Sequence, residues 1–401
     1  MTAKNHVYLS CHGCDRRLLD SSILVDYFRN NNYVIVNSPR RADYILVSTC
    51  AFNKNAEDVS FKLIEKHKKY KGELIVIGCL PEIDPARFRK RFNGRYLVTK
   101  DLDRLDSFFP ENQVKLSGLP DSNEPFPIIS RIDKFFLKFR LSREFSFKCL
   151  LALKNFTKNP FAPLNPLASG GVYIRISYGC SRNCSYCRIR NAIGPLKSKP
   201  MKTCLEEYGT LLSRGHRNFV LTADNLGIYG ADISSSLPEL LNEMSRLDKG
   251  LLTKWTLLEI QPDSLVEYKT DLITFIKEGK ISTISSPLQS GSPRILRLMS
   301  RYSNIDNIVN TLNELKGANA SIKLLTDLIV GFPGETEEDF NLSLEVTRNA
   351  LVDKVHLFAF AEWENTAAIA LPNRIDQNVI LRRLKHATTY FGKNNIEVVY
   401  V

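Results

Sequence analysis

Three cysteines in the middle of the chain have the spacing of a metal site. Cys180, Cys184 and Cys187 form a Cys-x3-Cys-x2-Cys loop, which follows an apolar run at Val172–Ser177 and includes Tyr186. Zinc ribbons and knuckles normally use four ligands, often as two pairs, whereas this loop has three. Cysteine thiolates usually hold protein iron–sulfur clusters. The spacing therefore indicates a four-iron cluster with three protein ligands, whose remaining iron is open to a chelating small molecule.

A second set of cysteines lies in the first hundred residues, at the ends of predicted strands. Its members are Cys14, Cys50 and Cys79, which follow apolar runs at residues 7–10, 44–47 and 73–77. Ligands of open parallel sheets gather at the carboxyl ends of the strands, so these thiols are predicted to converge and hold a cluster. Two alternatives stay open: the cysteines act as small buried hydrophobic residues, or they bind zinc with His12 or Cys11 as a fourth ligand. Cys149 and Cys204 have no such spacing.

The elements that carry both cysteine sets alternate between strand and helix. In the first hundred residues, helical spacing at Leu18–Asn30 and Asn55–Tyr70 separates short strands, which predicts a parallel sheet with helices on both faces. Six further strands are predicted at Val172–Ser177, Phe219–Thr222, Trp255–Glu259, Thr283–Ser286, Ile322–Leu328 and Val355–Phe360. The fold class is therefore α/β, with an N-terminal parallel sheet domain followed by a partial (β/α)6 barrel, whose site is expected at the carboxyl ends of the strands.

Composition limits the class of protein. The chain has 401 residues, 55 Lys+Arg against 43 Asp+Glu, and 43% hydrophobic residues, which excludes a disordered, collagen-like or disulfide-stapled protein. No apolar run is long enough for a membrane span or a signal peptide, so we predict a cytoplasmic protein. The nine cysteines are then expected to be ligands or nucleophiles, because disulfides are rare in a reducing compartment. The net charge of +12 favours nucleic acid as a partner.

The cysteine loop resembles the signature of radical S-adenosylmethionine (SAM) enzymes. The whole chain is similar to the methylthiotransferase family, which modifies tRNA nucleosides or a ribosomal protein. The resemblance is carried by HGC at 12–14 with DS at 20–21, VSTCAF at 47–52, IGCL at 77–80, LTADN at 221–225 with YG at 229–230, PLQSGS at 287–292 and DLIVGFPGETEEDF at 327–340.

This resemblance implies two [4Fe–4S] clusters and SAM as cofactors. Cys180, Cys184 and Cys187 would hold the catalytic cluster that cleaves SAM, and the earlier trio would hold an auxiliary cluster that supplies sulfur. The product would be C–S–CH3 in place of an unactivated C–H, and the electron would come from a low-potential donor such as flavodoxin or ferredoxin. Cofactor contacts are predicted for Tyr186, Asp224, Asn225, Gln289, Gly331 and Glu335. The turn that holds Gly331 and Glu335 is also typical of the start of a helix, with Thr336 as its cap.

The chain departs from the family pattern at residues predicted to lie on the substrate side. The departures are Arg17 and Ser48 where Asn is usual, Arg190 for Pro, Gln261 for His and Trp363 for Arg. We therefore expect intact radical chemistry with an altered pocket. A peptide or small metabolite is the predicted substrate, by a narrow margin over tRNA. Sulfur insertion without methylation and a non-catalytic iron–sulfur module that binds nucleic acid are the other hypotheses, and a binding module does not need two open-iron sites.

Four segments are predicted along the chain. They are the auxiliary-cluster domain at 1–108, a basic and aromatic linker at 109–168, the radical SAM barrel at 169–372 and a helical tail at 373–401 without the TRAM domain that family members usually carry. Within the linker, residues 131–158 hold eight Lys/Arg and six Phe. This stretch is predicted to pack on its own domain with a solvated basic face; nucleic-acid binding and membrane-surface binding are the alternatives.

Overall fold

A computed structural model describes residues 5–126, 171–248 and 250–400 of the chain. The chain divides into two compact units, Met1–Ala168 and Ser169–Val401. The basic stretch at 131–158 and Cys149 lie outside the described residues, so the predictions for them stay predictions.

The first unit is built on a parallel sheet of five strands in the order β2-β1-β3-β4-β5. The strands are β1 His6–Cys11, β2 Val34–Ile35, β3 Tyr44–Thr49, β4 Glu73–Gly78 and β5 Tyr96–Val98, and the helices are α1 Asp15–Asn30, α2 Lys54–His67, α3 Leu80–Ile83 and α4 Pro85–Arg91. Short 3-10 turns lie at Pro39–Arg41, Thr99–Ser107 and Leu116–Gly118. Apolar residues of β1, β3 and β4 pack against one face of α1, including Leu24 and Phe28. The predicted parallel sheet domain is confirmed.

The second unit contains a parallel sheet of seven strands in the order β14-β13-β12-β11-β10-β9-β6. These strands are β6 Val172–Arg175, β9 Asn218–Thr222, β10 Lys254–Leu257, β11 Ile281–Ser285, β12 Lys323–Val330, β13 Lys354–Ala359 and β14 Glu397–Tyr400. A separate antiparallel pair consists of β7 Ser177–Tyr178 and β8 Lys197–Ser198. Six of the seven strands were predicted from the sequence, and their sequential order is that of the predicted partial barrel.

Helices connect the successive barrel strands, as parallel pairing requires. They are α5 Arg190–Ile193, α6 Met201–Ser213, α7 Leu237–Leu247, α8 Pro262–Glu267, α9 Lys269–Lys277, α10 Pro293–Leu298, α11 Ile305–Ala318, α12 Glu337–Asn349 and α13 Gln377–Lys393, with 3-10 turns at Leu226–Ile228 and Ala367–Ala370. Several begin at well-defined caps. Thr336 and Asp339 form a reciprocal capping box at the start of α12, as Ser236 and Glu239 do for α7.

The tail at 373–401, predicted to be helical, contains α13 but ends in a strand. After α13 the chain forms β14, which extends the barrel sheet by pairing in parallel with β13, with Lys354 opposite Glu397. Glu397 donates its main-chain N–H to Asp353 O at 2.9 Å. The valines of this strand favour extended backbone, but four residues are too few to show a strand period in the sequence.

Side chains of the barrel strands alternate between two faces. Leu324 and Leu328 of β12 belong to the apolar cluster that these strands share with the outer helices, and so does Val355 of β13. Asp327 and His356 alternate with them and therefore lie on the opposite, concave face. These two residues are paired in register, and Asp327 Oδ1 lies 2.9 Å from His356 Nδ1. The concave face thus carries a carboxylate–imidazole pair.

Candidate active site

The three-cysteine loop begins at a glycine that no other residue can replace without strain. Gly179 has φ +72°, and a Cβ on it would lie 1.9 Å from Pro195 O. Its N–H donates to Asp224 Oδ2 at 2.9 Å. Cys180 N–H donates to Gly194 O at 3.0 Å. Asp224, predicted as a cofactor contact, therefore anchors the start of the loop from the carboxyl end of β9.

The other end of the loop is held through Ser185. Its N–H donates to Met299 O at 3.1 Å, and its hydroxyl donates to Leu298 O at 2.8 Å. Its carbonyl accepts from Ala368 N–H at 2.9 Å. Tyr186 packs beside it on a small apolar cluster that includes Met299 and Phe332. The loop is thus fixed from both sides by the fold itself.

The thiols of this loop act on one another electrostatically. Burial raises the pKa of Cys180, and the charges of Cys184 and Asp224 raise it further. Burial, followed by the charge of Cys184, raises the pKa of Cys187 to about 11. Arg182 N–H points at Cys180 Sγ from 3.4 Å. The structure therefore brings the predicted trio together.

The second trio comes from neighbouring strands of the first unit. Cys14 immediately precedes α1, Cys50 follows β3 and Cys79 follows β4. Strands β1, β3 and β4 are adjacent in the sheet. Cys79 N–H donates to Thr49 O at 3.2 Å, and Ser60 Oγ bonds both the N–H and the carbonyl of Cys50. The carboxyl ends of parallel strands carry these thiols, as the sequence predicts.

Two glycines allow this convergence. A Cβ on Gly13 would lie 3.2 Å from Cys50 Cβ and 2.9 Å from Arg17 Cβ. Gly78 has φ +117°, and a Cβ there would lie 2.2 Å from Thr49 O. Larger residues at either position would push the chain segments apart.

Cys14 and Cys50 form a coupled pair. The pKa of Cys14 is held well below its usual range, because its thiolate accepts a hydrogen bond from Cys50 and lies near the charges of Arg16 and Arg17, although burial opposes this. The pKa of Cys50 is raised by the same hydrogen bond, by burial and by the charges of Cys14 and Cys79. The position of Cys14 before a helix also favours its thiolate. The three sulfurs are therefore within electrostatic reach of one another.

The two other potential ligands of the first unit have contacts of their own. Cys11 packs at the edge of the apolar cluster beneath α1, and burial raises its pKa to about 12, opposed by a hydrogen bond with Ser21. Burial lowers the pKa of His12 to about 4, opposed by a hydrogen bond with the backbone of Ala56. In the described ranges, no group of three His, Cys, Asp or Glu side chains is arranged to hold a single metal ion. An iron–sulfur cluster contributes several irons and bridging sulfides, and so does not require that arrangement.

Two predicted cofactor residues present buried polar groups near the loop. Asn225 is fully buried; its Oδ1 accepts from Gly227 N–H at 3.2 Å, and a hydrogen bond from its side chain lowers the pKa of Cys180. Gln289 has φ +73° and is bridged to β12 by main-chain hydrogen bonds of 2.8 and 2.9 Å with Asp327 and Ile329. Its buried Oε1 lacks a partner within the described part of the chain. Buried orphan atoms and strained backbone of this kind are typical of ligand sites.

The turn that contains Gly331 and Glu335 has a clear structural role. Glu335 Oε2 accepts from Gly331 N–H and from Arg383 Nη1, each at 2.8 Å, which ties the turn to α13. Burial raises the pKa of Glu335 to about 7 against both of these contacts. A Cβ on Gly331 would meet the side chain of Ile380 at 2.4 Å. Contact of this turn with a cofactor stays a prediction.

Sequence reasoning missed Arg301, which follows α10. Its Nη1 lies 3.9 Å from Cys184 Sγ, and its guanidinium bonds Gln261 Oε1 and the main-chain oxygen of Pro287. Burial opposes its charged form, but Tyr186 and Cys184 raise its pKa above the ordinary value. No motif in the sequence marks this arginine. The Asp327–His356 pair was also missed, although a charge inside an apolar strand run was a usable signal.

Both units match known families. Residues 6–99 match the uncharacterized protein family UPF0004, and residues 174–346 match the radical SAM superfamily. Ribosomal protein uS12 methylthiotransferase RimO of Geobacter sulfurreducens is 31% identical over 96% of this chain and 81% of that protein. The same enzyme of Geotalea uraniireducens is 30% identical over 95% of this chain and 80% of that protein. The chain belongs to the radical SAM methylthiotransferase family.

Solved structures agree with the fold of this methylthiotransferase. The radical SAM methyltransferase TsrM of Kitasatospora setae has a TM-score of 0.62 at 12% identity, covering 91% of this chain and 77% of that chain. The cobalamin-dependent radical enzyme OxsB has a TM-score of 0.56 at 12% identity, and the match covers 98% of this chain and 56% of that chain. Family membership confirms the predicted enzyme class and the use of SAM and an iron–sulfur cluster. Within the described residues, every helix is too short or too polar to cross a membrane.

The departures of this methylthiotransferase from the family pattern surround its cysteines. Arg17 is 3% exposed, pairs with Asp20 at 3.2 Å and acts on Cys14. Gln261 accepts from the arginine that contacts Cys184. These contacts do not test the expectation that the departures gather on the substrate side, which stays a prediction. Arg17 adds a charge beside Cys14, and Gln261 orients the charge of Arg301 beside Cys184.

Trp363 lies next to the three-cysteine loop. The guanidinium carbon of Arg188, which directly follows the last cysteine of the loop, lies 3.4 Å from the centre of the Trp363 ring. Arg190 bonds Asn183 within the loop. These departures too are contacts of the loop.

Proposed function

We propose that this enzyme replaces an unactivated C–H of a ribosomal protein with C–S–CH3, the protein being the counterpart of uS12. The observation that carries the proposal is the match to uS12 methylthiotransferases along 95% or more of the chain, through both cysteine-bearing units. A ribosomal protein is a narrower substrate than the peptide or small metabolite that the sequence favoured. Methylation of the sulfur is part of the activity named for these relatives.

Cys180, Cys184 and Cys187 are proposed to hold the cluster that binds SAM. When bound, the reduced cluster and SAM supply a radical able to remove hydrogen from an unactivated carbon. The fit of this group is supported by the loop, which the fold fixes at Gly179 and Ser185. The buried Oε1 of Gln289, which has no partner within the described part of the chain, would take up a polar atom of the bound cofactor.

Cys14, Cys50 and Cys79 are proposed to hold the auxiliary cluster, which would supply the sulfur atom. The coupling of the Cys14 and Cys50 thiols and the charge of Cys79 on Cys50 support a shared site. The low pKa of Cys14 favours the thiolate, which is the form that binds iron. A low-potential donor such as flavodoxin or ferredoxin would deliver the electrons.

The concave face of the barrel is proposed to receive the acceptor residue. Its Asp327–His356 pair can hydrogen-bond a polar acceptor and hold it in one orientation. Backbone and side chains around a closed site exclude water, which protects a radical from side reactions.

The test is anaerobic reconstitution followed by mass spectrometry. We expect about eight irons per chain, four for each cluster. With SAM, reductant and uS12, we expect one methylthio group in place of one hydrogen on the ribosomal protein. Replacing Cys180, Cys184 and Cys187 by Ala should abolish SAM cleavage, whereas replacing the earlier trio should spare cleavage and stop sulfur transfer.

The controls address cysteine loss and the choice of acceptor. Cys204→Ala removes a buried cysteine outside both trios and should keep all the iron. tRNA is offered in a parallel reaction. Methylthio groups on tRNA nucleosides with none on uS12 would contradict the proposed substrate, and SAM cleavage by both triple variants would contradict the assignment of the catalytic cluster.

A further inference from the structure

Arg301 holds a fixed position beside a cluster cysteine. Its guanidinium donates to Gln261 Oε1 and to Pro287 O, so two hydrogen bonds orient it. Gln261 immediately precedes α8, and Pro287 lies just beyond β11. Both acceptors therefore lie near the carboxyl ends of barrel strands, where the site of such a barrel is expected. In this orientation Nη1 lies 3.9 Å from Cys184 Sγ.

The charge of Arg301 is not cancelled by a carboxylate. Both of its oxygen partners are neutral, and no ion pair with Arg301 is formed within the described residues. Asp263, an acidic side chain that acts on it electrostatically, is paired with Arg182. An arginine stays protonated at every relevant pH. A positive charge therefore faces the sulfur of Cys184 permanently.

We propose that Arg301 is a positioning residue that raises the reduction potential of the cluster held by Cys180, Cys184 and Cys187. The inference rests on the proposed function of that loop. Reduction adds one negative charge to a cluster, so a fixed cation next to a ligand sulfur stabilises the reduced form more than the oxidised form. Net charge and hydrogen bonds at the sulfurs set the potentials of such clusters.

Gln261 is the second element of this arrangement. A neutral amide holds the guanidinium without neutralising it. A glutamate at the same position would have nearly the same shape and would form an ion pair with Arg301. Gln261→Glu therefore adds a negative charge that offsets the positive charge of Arg301 while leaving the arginine in place.

The experiment is a potentiometric titration followed by electron paramagnetic resonance, without SAM. The full-length chain carries Cys14→Ala, Cys50→Ala and Cys79→Ala, so one cluster gives the signal. Arg301→Gln should lower the equilibrium constant for reduction of the cluster at least tenfold. For one electron this makes the reduction potential about 59 mV more negative. Arg301→Lys keeps a charge and should retain most of the potential.

The matched control removes an arginine from the same segment. Arg297 is exposed on α10, and its replacement by Gln removes one formal charge that faces solvent. We expect the potential of this variant to equal that of the background protein. An Arg301→Gln protein with full iron and unchanged potential overturns the inference, even if its affinity for SAM falls.

Other outcomes are also decisive. If Arg301→Gln loses its cluster, the Gln261→Glu protein is measured; a more negative potential supports the inference, and an unchanged one overturns it. If the background protein itself binds no iron, the proposed function fails at this loop and the inference fails with it. Iron content thus separates failure of the cluster site from failure of the arginine's role.

Discussion

Glu335 makes the stability of the barrel unit depend on pH. The residue is 2% exposed, and its carboxylate bonds Gly331 N–H and the guanidinium of Arg383. Burial raises its pKa from an ordinary 4.5 to about 7, although both contacts oppose this. At about 1.4 kcal/mol per pKa unit, the difference amounts to about 3 kcal/mol.

The direction follows from proton binding. Between about pH 4.5 and pH 7, folded Glu335 keeps its proton while the unfolded chain loses it. The folded state then binds more protons, so its free energy of unfolding falls as pH rises through this window. In Glu335→Gln the group no longer titrates. The stability of the native protein relative to this variant should therefore fall by about 3 kcal/mol from about pH 5 to pH 8.

The assay uses the position of the tryptophans. The chain has two, Trp255 and Trp363, and both belong to the Ser169–Val401 unit, so tryptophan fluorescence reports the unfolding of that unit. Denaturant titrations of the iron-free protein are compared at several pH values. Glu337→Gln is the matched control, because Glu337 bonds the same Arg383 but is 53% exposed. Parallel pH curves for the native and Glu335→Gln proteins would refute the reasoning.

Substitutions at two glycines and at one buried ion pair test the surroundings of the cysteines. Gly78→Ala puts a Cβ 2.2 Å from a main-chain oxygen of β3 and should cost about half of the reconstituted iron, whereas Gly118→Ala meets open space and should cost none. Gly179→Ala puts a Cβ 1.9 Å from another main-chain oxygen, so it should lose the other half of the reconstituted iron and abolish SAM cleavage. Full iron content in the Gly78→Ala or the Gly179→Ala variant would contradict the geometry. Arg17→Asn and Asp20→Asn should each destabilise the first unit by about 3 kcal/mol, because one charge of a buried pair remains. The double variant should lose clearly less stability than the two single variants together, as measured by thermal unfolding followed by circular dichroism. Additive losses of stability would contradict the pairing.

The sequence predicts the fold well because the strands are buried on both faces. Such strands appear as short apolar runs, and their alternation with helices leaves one regular topology. The convergence of Cys14, Cys50 and Cys79 follows from that topology alone. Strand β14 escaped prediction because pairing with β13, a distant contact, decides its structure, rather than any local pattern.

The surroundings of the thiols depend on tertiary contacts that sequence spacing does not encode. Arg301 reaches Cys184 across 117 positions of the chain. Glu335 belongs to a motif that predicts contact with a cofactor. Its carboxylate, however, accepts a hydrogen bond from Arg383, 48 positions away. Motif matching therefore suffices to predict the cysteines as ligands, whereas the charges beside them appear only in the folded chain.

The contacts of the departing residues weaken the inference from them to an acceptor other than that of the uS12 methylthiotransferases. If Arg17, Gln261 and Trp363 lined a remodelled pocket, a different acceptor would be the natural inference. Instead, Arg17 acts on Cys14, Gln261 holds the arginine beside Cys184, and Trp363 stacks on Arg188 next to the loop. A change of charge beside a thiolate acts first on iron binding and reduction. We therefore expect these departures to change the iron content or the reduction potential of the cysteine sites before they change the acceptor.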